Sequence, residues 1–237
     1  MYVVMIDWIS DYQLFLFDFD GLLVNTEEKH YQAYIAACQK FGCFLDWDFP
    51  TYFRRAQANS EQVKKNIFAL FEQQKIPLPS WDALYKEKKE ALIEILHREQ
   101  VALLPGVHEF LRILQKNKKM HAVVTHSGKP LVELIKKQHE VLHEIPFWIC
   151  REDYENPKPS PECYEKALER FAKKDDAIIG FEDSSRGMNA LMATRATAVL
   201  VNGIDETVRT SFVQRGVFVF SSFIEIMDTP HALRRAP

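Results

Sequence analysis

Two carboxylates stand two residues apart in Leu14-Phe15-Leu16-Phe17-Asp18-Phe19-Asp20-Gly21, directly after four uninterrupted apolar residues. At that spacing Asp18 and Asp20 can lean toward one point, and their repulsion is relieved by a cation between them. A hard, oxygen-liganded ion such as Mg²⁺ suits the pair. Further along, Thr125 follows the apolar run Ala122-Val123-Val124, and Glu182-Asp183 follow Ala177-Ile178-Ile179-Gly180-Phe181. Lys158 lies in Asn156-Pro157-Lys158-Pro159, a proline-stiffened loop able to hold an ammonium in place. An aspartate nucleophile, a metal-binding carboxylate pair, a hydroxyl donor and a lysine are the parts of a phosphoryl-transfer site. Catalysis there is mostly positioning and charge neutralisation.

Two rival chemistries have their own signals. His139-Glu140-Val141-Leu142-His143 carries the His-Glu-x-x-His spacing of zinc peptidases, in which two histidines four apart on a helix share the metal. Pro146 disfavours helix at Ile145, so the pair would sit on a fraying end. An aspartate at a strand end with Mg²⁺ and a lysine also describes a phospho-accepting receiver module, but such modules signal through an open surface. The long insertion described below argues instead for a small ligand sequestered from water.

The elements needed to position these groups are legible from pattern. Leu14 to Phe17 reads as a strand buried on both faces, the central strand of a parallel sheet, whose carboxyl end is where open α/β sheets put their chemistry. No strand pattern appears between Gly21 and Leu104. That stretch offers a helix capped at Asn25-Thr26-Glu27-Glu28, an irregular aromatic segment over residues 43 to 59, a helix opened by Ser60, and one capped by Ser80 with an apolar stripe broken only by Lys88. From Pro105 helices alternate with strands at Ala122 to Thr125, Phe147 to Ile149, Ala177 to Phe181, Thr197 to Val201 and Val217 to Phe220. The expectation is an α/β protein with a Rossmann-like parallel-sheet core, residues 1–24 and 103–237, and an inserted helical cap domain, residues 25–102.

With 237 residues and 47% hydrophobic content the chain can bury a full core. A net charge of -3 and a pI near 6.3 provide no broad basic field, so neither nucleic acid nor a membrane surface is an expected partner. Cys38, Cys43, Cys150 and Cys163 have neither metal-knuckle nor redox spacing, and a reducing cytoplasm is the expected setting for a monomer. Met1 to Ile9 carries Asp7, lacks a basic leader, and is shorter than the roughly 20 residues of a spanning helix.

From about Leu14 to Met227 the sequence resembles the haloacid dehalogenase superfamily, in its β-phosphoglucomutase and phosphoglycolate phosphatase-like branch. Asp18-Phe19-Asp20-Gly21, Val124-Thr125-His126-Ser127, Lys158-Pro159 and Gly180-Phe181-Glu182-Asp183-Ser184 match its four motifs in order. The resemblance implies a Mg²⁺-dependent phosphatase of small phosphorylated metabolites working through an aspartyl-phosphate, with a phosphohexomutase as the alternative. By position it implies Asp18 as nucleophile, Asp20 as general acid/base, and Thr125 and Lys158 as binders of the phosphoryl oxygens. It places the metal on Asp18, the Asp20 carbonyl and Asp183, with Glu182 either a direct ligand or one step behind. His126 would border the phosphate or face solvent. In the cap, His30 matches a histidine of the mutases and Lys88 approximately a cap lysine. Arg54 and Arg55, in the irregular segment, could reach the distal part of an anionic substrate. Asn25 stands where an acid is usual, and Asn59 where the mutases carry an arginine, which weakens the mutase reading.

Overall fold

In the computed structural model, residues 6–58 and 60–234 are described, and the chain separates into two compact units, Met1–Asn25 with Ala102–Pro237, and Thr26–Val101. The first unit is built on six parallel strands: β1 (Leu14–Phe17), β2 (Met120–Val124), β3 (Phe147–Ile149), β4 (Ile178–Glu182), β5 (Thr197–Val201) and β6 (Phe218–Phe220). Their order across the sheet is β3-β2-β1-β4-β5-β6, so β1 is central, with β2 on one side and β4 on the other. Successive side chains of β1 point to opposite faces and all four are fully buried.

The second unit is helical: α1 (Glu27–Lys40), α2 (Phe49–Ala58), α3 (Ser60–Gln73) and α4 (Trp81–Arg98). The remaining helices, all in the first unit, are α5 (Val107–Lys116), α6 (Lys129–Lys136), α7 (Glu140–His143), α8 (Glu162–Phe171), α9 (Ser185–Met192), α10 (Glu206–Gln214) and α11 (Phe223–Asp228). Leu14 and Leu16 pack in one cluster with Tyr164 and Ala167 of α8 and Leu191 of α9. On the opposite face Phe17 stacks on Phe181 and meets Phe110 of α5 and Phe223 of α11, while Phe15 meets Trp8. The leading segment thus has a structural role: a 3₁₀ turn at Asp7–Asp11 buries Trp8 beside Phe15 and Phe110.

The helical unit closes over its own core, formed by Tyr34, Cys38, Trp47, Tyr52, Ile67, Phe71 and Leu84 among others. Its α4 is capped as the sequence predicts, the Ser80 hydroxyl accepting from the Ala83 N–H at 3.2 Å. Two expectations are corrected. The chain from Phe49 to Ala58 is helix rather than irregular loop, started by Asp48, whose carboxylate accepts from the Thr51 N–H at 2.9 Å, with Pro50 in the first turn where its missing N–H costs nothing. At α1 the cap position is Thr26 rather than Asn25, and it makes no side-chain cap bond. No helix among the described residues is long and apolar enough to cross a membrane.

Candidate active site

Strand order decides which groups meet. With β2 and β4 flanking β1, the residues leaving the three carboxyl ends are neighbours: Thr125 after β2, Asp18 after β1, and Glu182-Asp183 at the end of β4. Main-chain pairing carries on past the strands, with the Asp18 N–H donating to the Phe181 carbonyl at 3.0 Å and Thr125 to Ile149 at 2.9 Å, which fixes where both side chains start.

Lys158 joins them from the loop ahead of α8. Glu162, in the first turn of that helix, accepts from the Glu155 and Asn156 N–H groups at 2.8 and 2.7 Å and so ties the loop down. These backbone donors hold its carboxyl down at about 2. Lys158 is buried, and its ammonium lies 2.5 Å from Asp18 Oδ1, 2.7 Å from Glu182 Oε1, 2.9 Å from the Val124 carbonyl and 3.2 Å from the Tyr164 hydroxyl. Burial alone would lower the lysine, but the Asp18 and Glu182 carboxylates hold it well above its ordinary value. Burial pushes the Asp18 carboxyl up to about 7, opposed by Lys158 and reinforced by Glu182. A divalent cation beside it would bring it back down.

Asp20, half-buried, has a different environment. Its Oδ2 accepts from the Ser127 hydroxyl at 2.6 Å and the Thr125 hydroxyl at 3.3 Å, while the Thr125 hydroxyl itself accepts from the Ser127 N–H at 2.9 Å. Two aspartates two residues apart are therefore held differently, Asp18 by an ammonium in a dry setting and Asp20 by hydroxyls nearer water. Divergent environments for paired carboxylates are what divides nucleophile from acid/base.

Asp18, Glu182 and Asp183 are all buried and offer carboxylate oxygens lying within 4.8 Å of one another, the single such group of possible metal ligands among the described residues. Three carboxylates against one ammonium leave two negative charges in excess, which a hard divalent cation such as Mg²⁺ would balance, so the donor set fits that ion. Gly21, at φ +81°, makes room for this, since a Cβ there would collide with the Asp183 carboxylate. Glu182 is turned toward the lysine: its Oε1 receives Lys158 and the Tyr164 hydroxyl, and its Oε2 is buried without a hydrogen-bond partner.

Several contributors were not singled out in the sequence. Ser127 sits inside the second motif, two residues after Thr125, and could have been found there. Tyr164 lies on the inner face of α8, fully buried between Lys158 and Glu182, while Asn202, just past β5, donates to the Asp183 carbonyl at 2.8 Å. Tyr154 donates to the Thr125 carbonyl at 3.1 Å and contacts His126 Nδ1 at 3.0 Å. These partnerships arise from tertiary packing and have no local signature.

The remaining candidates lie in the helical unit. Lys88 of α4 is buried, its ammonium 2.5 Å from His30 Nδ1 on α1 and over the rings of Tyr34 and Tyr85. Arg54 is exposed and donates to the Thr51 hydroxyl at 3.2 Å, whereas Arg55 stacks over Trp47 with its guanidinium 4.1 Å from the ring centre. Asn59 lies outside the described residues. The peptidase reading of His139 and His143 is not supported: α7 is a single four-residue turn, with His139 ahead of it as the cap.

The profile of the family described as haloacid dehalogenase-like hydrolases matches residues 15–201. A probable pseudouridine-5'-phosphatase of Drosophila melanogaster is 30% identical over 193 residues, 78% of this chain and 80% of that protein. Among solved structures, CbbY from Rhodobacter sphaeroides in complex with phosphate superimposes with a TM-score of 0.73 at 22% identity, covering 91% of this chain and 96% of the other. A predicted phosphoglycolate phosphatase from Haemophilus somnus superimposes with a TM-score of 0.76 at 18% identity, covering 92% and 97%.

Proposed function

The chain belongs to the haloacid dehalogenase-like hydrolase family, and we propose that it is a Mg²⁺-dependent phosphatase of a small phosphorylated metabolite that works through an aspartyl-phosphate. It is a phosphoric monoester hydrolase, as its relatives are named. The observation that carries the reading is the unequal treatment of the two aspartates, Asp18 bonded to the Lys158 ammonium and Asp20 to the Ser127 hydroxyl.

Asp18, with Oδ1 engaged by Lys158, uses its other carboxylate oxygen to attack phosphorus; an Asp18–phosphorus bond forms as the ester oxygen leaves. Asp20 gives its proton to that oxygen, then takes one from the water that attacks phosphorus and releases Asp18. The Thr125 hydroxyl and the Lys158 ammonium hold the phosphoryl oxygens. Asp18, the Asp20 carbonyl and Asp183 would hold Mg²⁺, with Glu182 behind them orienting Lys158. Bound there, the ion supplies further charge neutralisation for the phosphoryl group. The helical unit acts as the cap that governs substrate choice, and the expected setting is the cytoplasm.

One observation favours the mutase as second reading: His30 and Lys88 are brought together. In a mutase the phosphoryl group passes to a second sugar hydroxyl instead of water. The deciding experiment is a phosphate-release screen over sugar phosphates, phosphoglycolate and nucleotides with Mg²⁺, beside an assay for β-glucose 1-phosphate isomerisation. Phosphate release is expected to be faster, and isomerisation outrunning it would reverse the order. With p-nitrophenyl phosphate, Asp20→Ala should release a burst of about one nitrophenol per enzyme and retain a phosphate adduct in intact mass. An adduct in Asp18→Asn but not in Asp20→Ala would exchange the two roles.

A further inference from the structure

A tyrosine hydroxyl has one proton to give, and Tyr154, buried beneath the second motif, gives it to the Thr125 carbonyl at 3.1 Å. Its 3.0 Å contact with His126 Nδ1 then closes as a hydrogen bond only if Nδ1 carries a proton and donates it to the tyrosine oxygen. Arg151 holds the tyrosine in that arrangement, donating to the Tyr154 carbonyl at 2.7 Å and to the Glu155 carbonyl at 3.2 Å, with its guanidinium over the Tyr154 ring. A neutral imidazole protonated at Nδ1 has a bare lone pair at Nε2. Nε2 bonds none of the described residues, and His126 is exposed immediately after Thr125 at the carboxyl end of β2.

The ring stays neutral where it stands. Lost hydration on its packed edge, followed by the cations of Arg186, Arg151 and Lys158, pushes its pKa down to about 4, against which Asp20 pulls weakly upward. A bare acceptor beside a phosphate site suits neither a phosphate oxygen nor a second anion, because lone pair would face lone pair. It suits a hydroxyl donor.

From this geometry we infer that His126 accepts a hydrogen bond at Nε2 from a substrate hydroxyl near the ester, which makes polyol-type phosphate monoesters the preferred substrate class. The inference rests on the phosphatase reading above. It is tested by measuring kcat/KM for glycerol 3-phosphate and for propyl phosphate, with p-nitrophenyl phosphate as reference, in the wild type, His126→Gln and His126→Phe. The wild type should favour the hydroxylated ester by about five- to tenfold, the worth of one net hydrogen bond. His126→Phe should bring that ratio close to one, and His126→Gln, whose amide oxygen can still accept, should keep part of it. Nitrogen-15 spectra of the wild type should show protonated Nδ1 and bare Nε2, with that preference lost in Tyr154→Phe. Equal kcat/KM for the two alkyl esters in the wild type, hydrolysis of the aryl ester alone, or a proton on Nε2 would overturn the inference and leave the phosphatase reading standing. Failure to hydrolyse any of the three esters would bring down the phosphatase reading, and the inference with it.

Discussion

Two buried lysines, one in each unit, keep contrasting company. Lys158 of the parallel-sheet unit is surrounded by oxygens, those of Asp18, Glu182 and Val124, and its charge is neutralised where it stands. Lys88 of the helical unit lies against the His30 imidazole and over two tyrosine rings, 5.1 and 5.8 Å from their centres. An aromatic face adds the attraction of its quadrupole for a cation. The difference sets a lysine tied to the carboxylates of the candidate site against one packed on aromatic rings in a helical core.

The contrast is broken most severely at Lys158. Lys158→Met leaves two buried carboxylates facing each other, so turnover should fall by about 10³-fold or more and unfolding stability by about 3–5 kcal/mol. Steady-state assay and urea denaturation measure both, and a stable, active variant would refute the charge balance described for the site. Asp183→Asn comes next. Mg²⁺ should raise the melting temperature of the wild type by stabilising the folded state, and this rise should shrink or vanish in the variant. An equal rise in both proteins would remove Asp183 from the metal site.

A smaller effect is expected at Tyr164, whose hydroxyl shares Glu182 with Lys158. Tyr164→Phe should cost about 1 kcal/mol of stability and about tenfold in kcat with little change in KM, because it loosens a positioning group without touching substrate. A change confined to KM would show instead that the hydroxyl acts in binding. Lys88→Met sharpens the comparison from the other side. Methionine keeps the aromatic packing while removing the charge, so the loss of stability should be smaller than at Lys158 while the ranking of substrates shifts. Losses as large as those of Lys158→Met would erase the distinction between the two lysines.

The smallest effect concerns acid stability. The folded-state pKa of His126 is lowered from 6.5 to about 4, so in that window the unfolded chain binds a proton that the folded chain does not. Its contribution is fully present above pH 6.5 and is lost as the pH falls through 4. Denaturation at stepped pH should show the stability of the wild type relative to His126→Phe falling across that interval, and a constant difference would contradict the lowered pKa.

How much of this could be read from the sequence depended on whether the cause was local. β1 was legible because four apolar residues running into Asp18 require both faces to be covered, and the sheet supplies leucine-lined packing on one face and aromatic packing on the other. The meeting of Asp18, Thr125, Lys158 and Asp183 was legible because each ends a strand or sits in a stiffened loop. Helix α2 was read as part of an irregular aromatic segment, because the Asp48 cap that starts it went unnoticed. Tyr164, Tyr154 and Asn202 gave no signal at all, since their roles depend on which hydroxyl or amide comes to rest beside Lys158, His126 and Asp183 after packing.

The central place of β1 has a consequence for synthesis. Leu14 to Phe17 pair with Met120 to Val123 on one side and with Ile178 to Phe181 on the other, so the most apolar strand in the chain leaves the ribosome long before either neighbour exists. At about 5–20 residues per second, roughly ten to thirty seconds separate the translation of Phe17 from that of Phe181. Until Met120 to Val123 have been made, Leu14-Phe15-Leu16-Phe17 has no partner for either edge, and until Ile178 to Phe181 have been made it still lacks one, which leaves it the kind of segment that associates with other nascent chains.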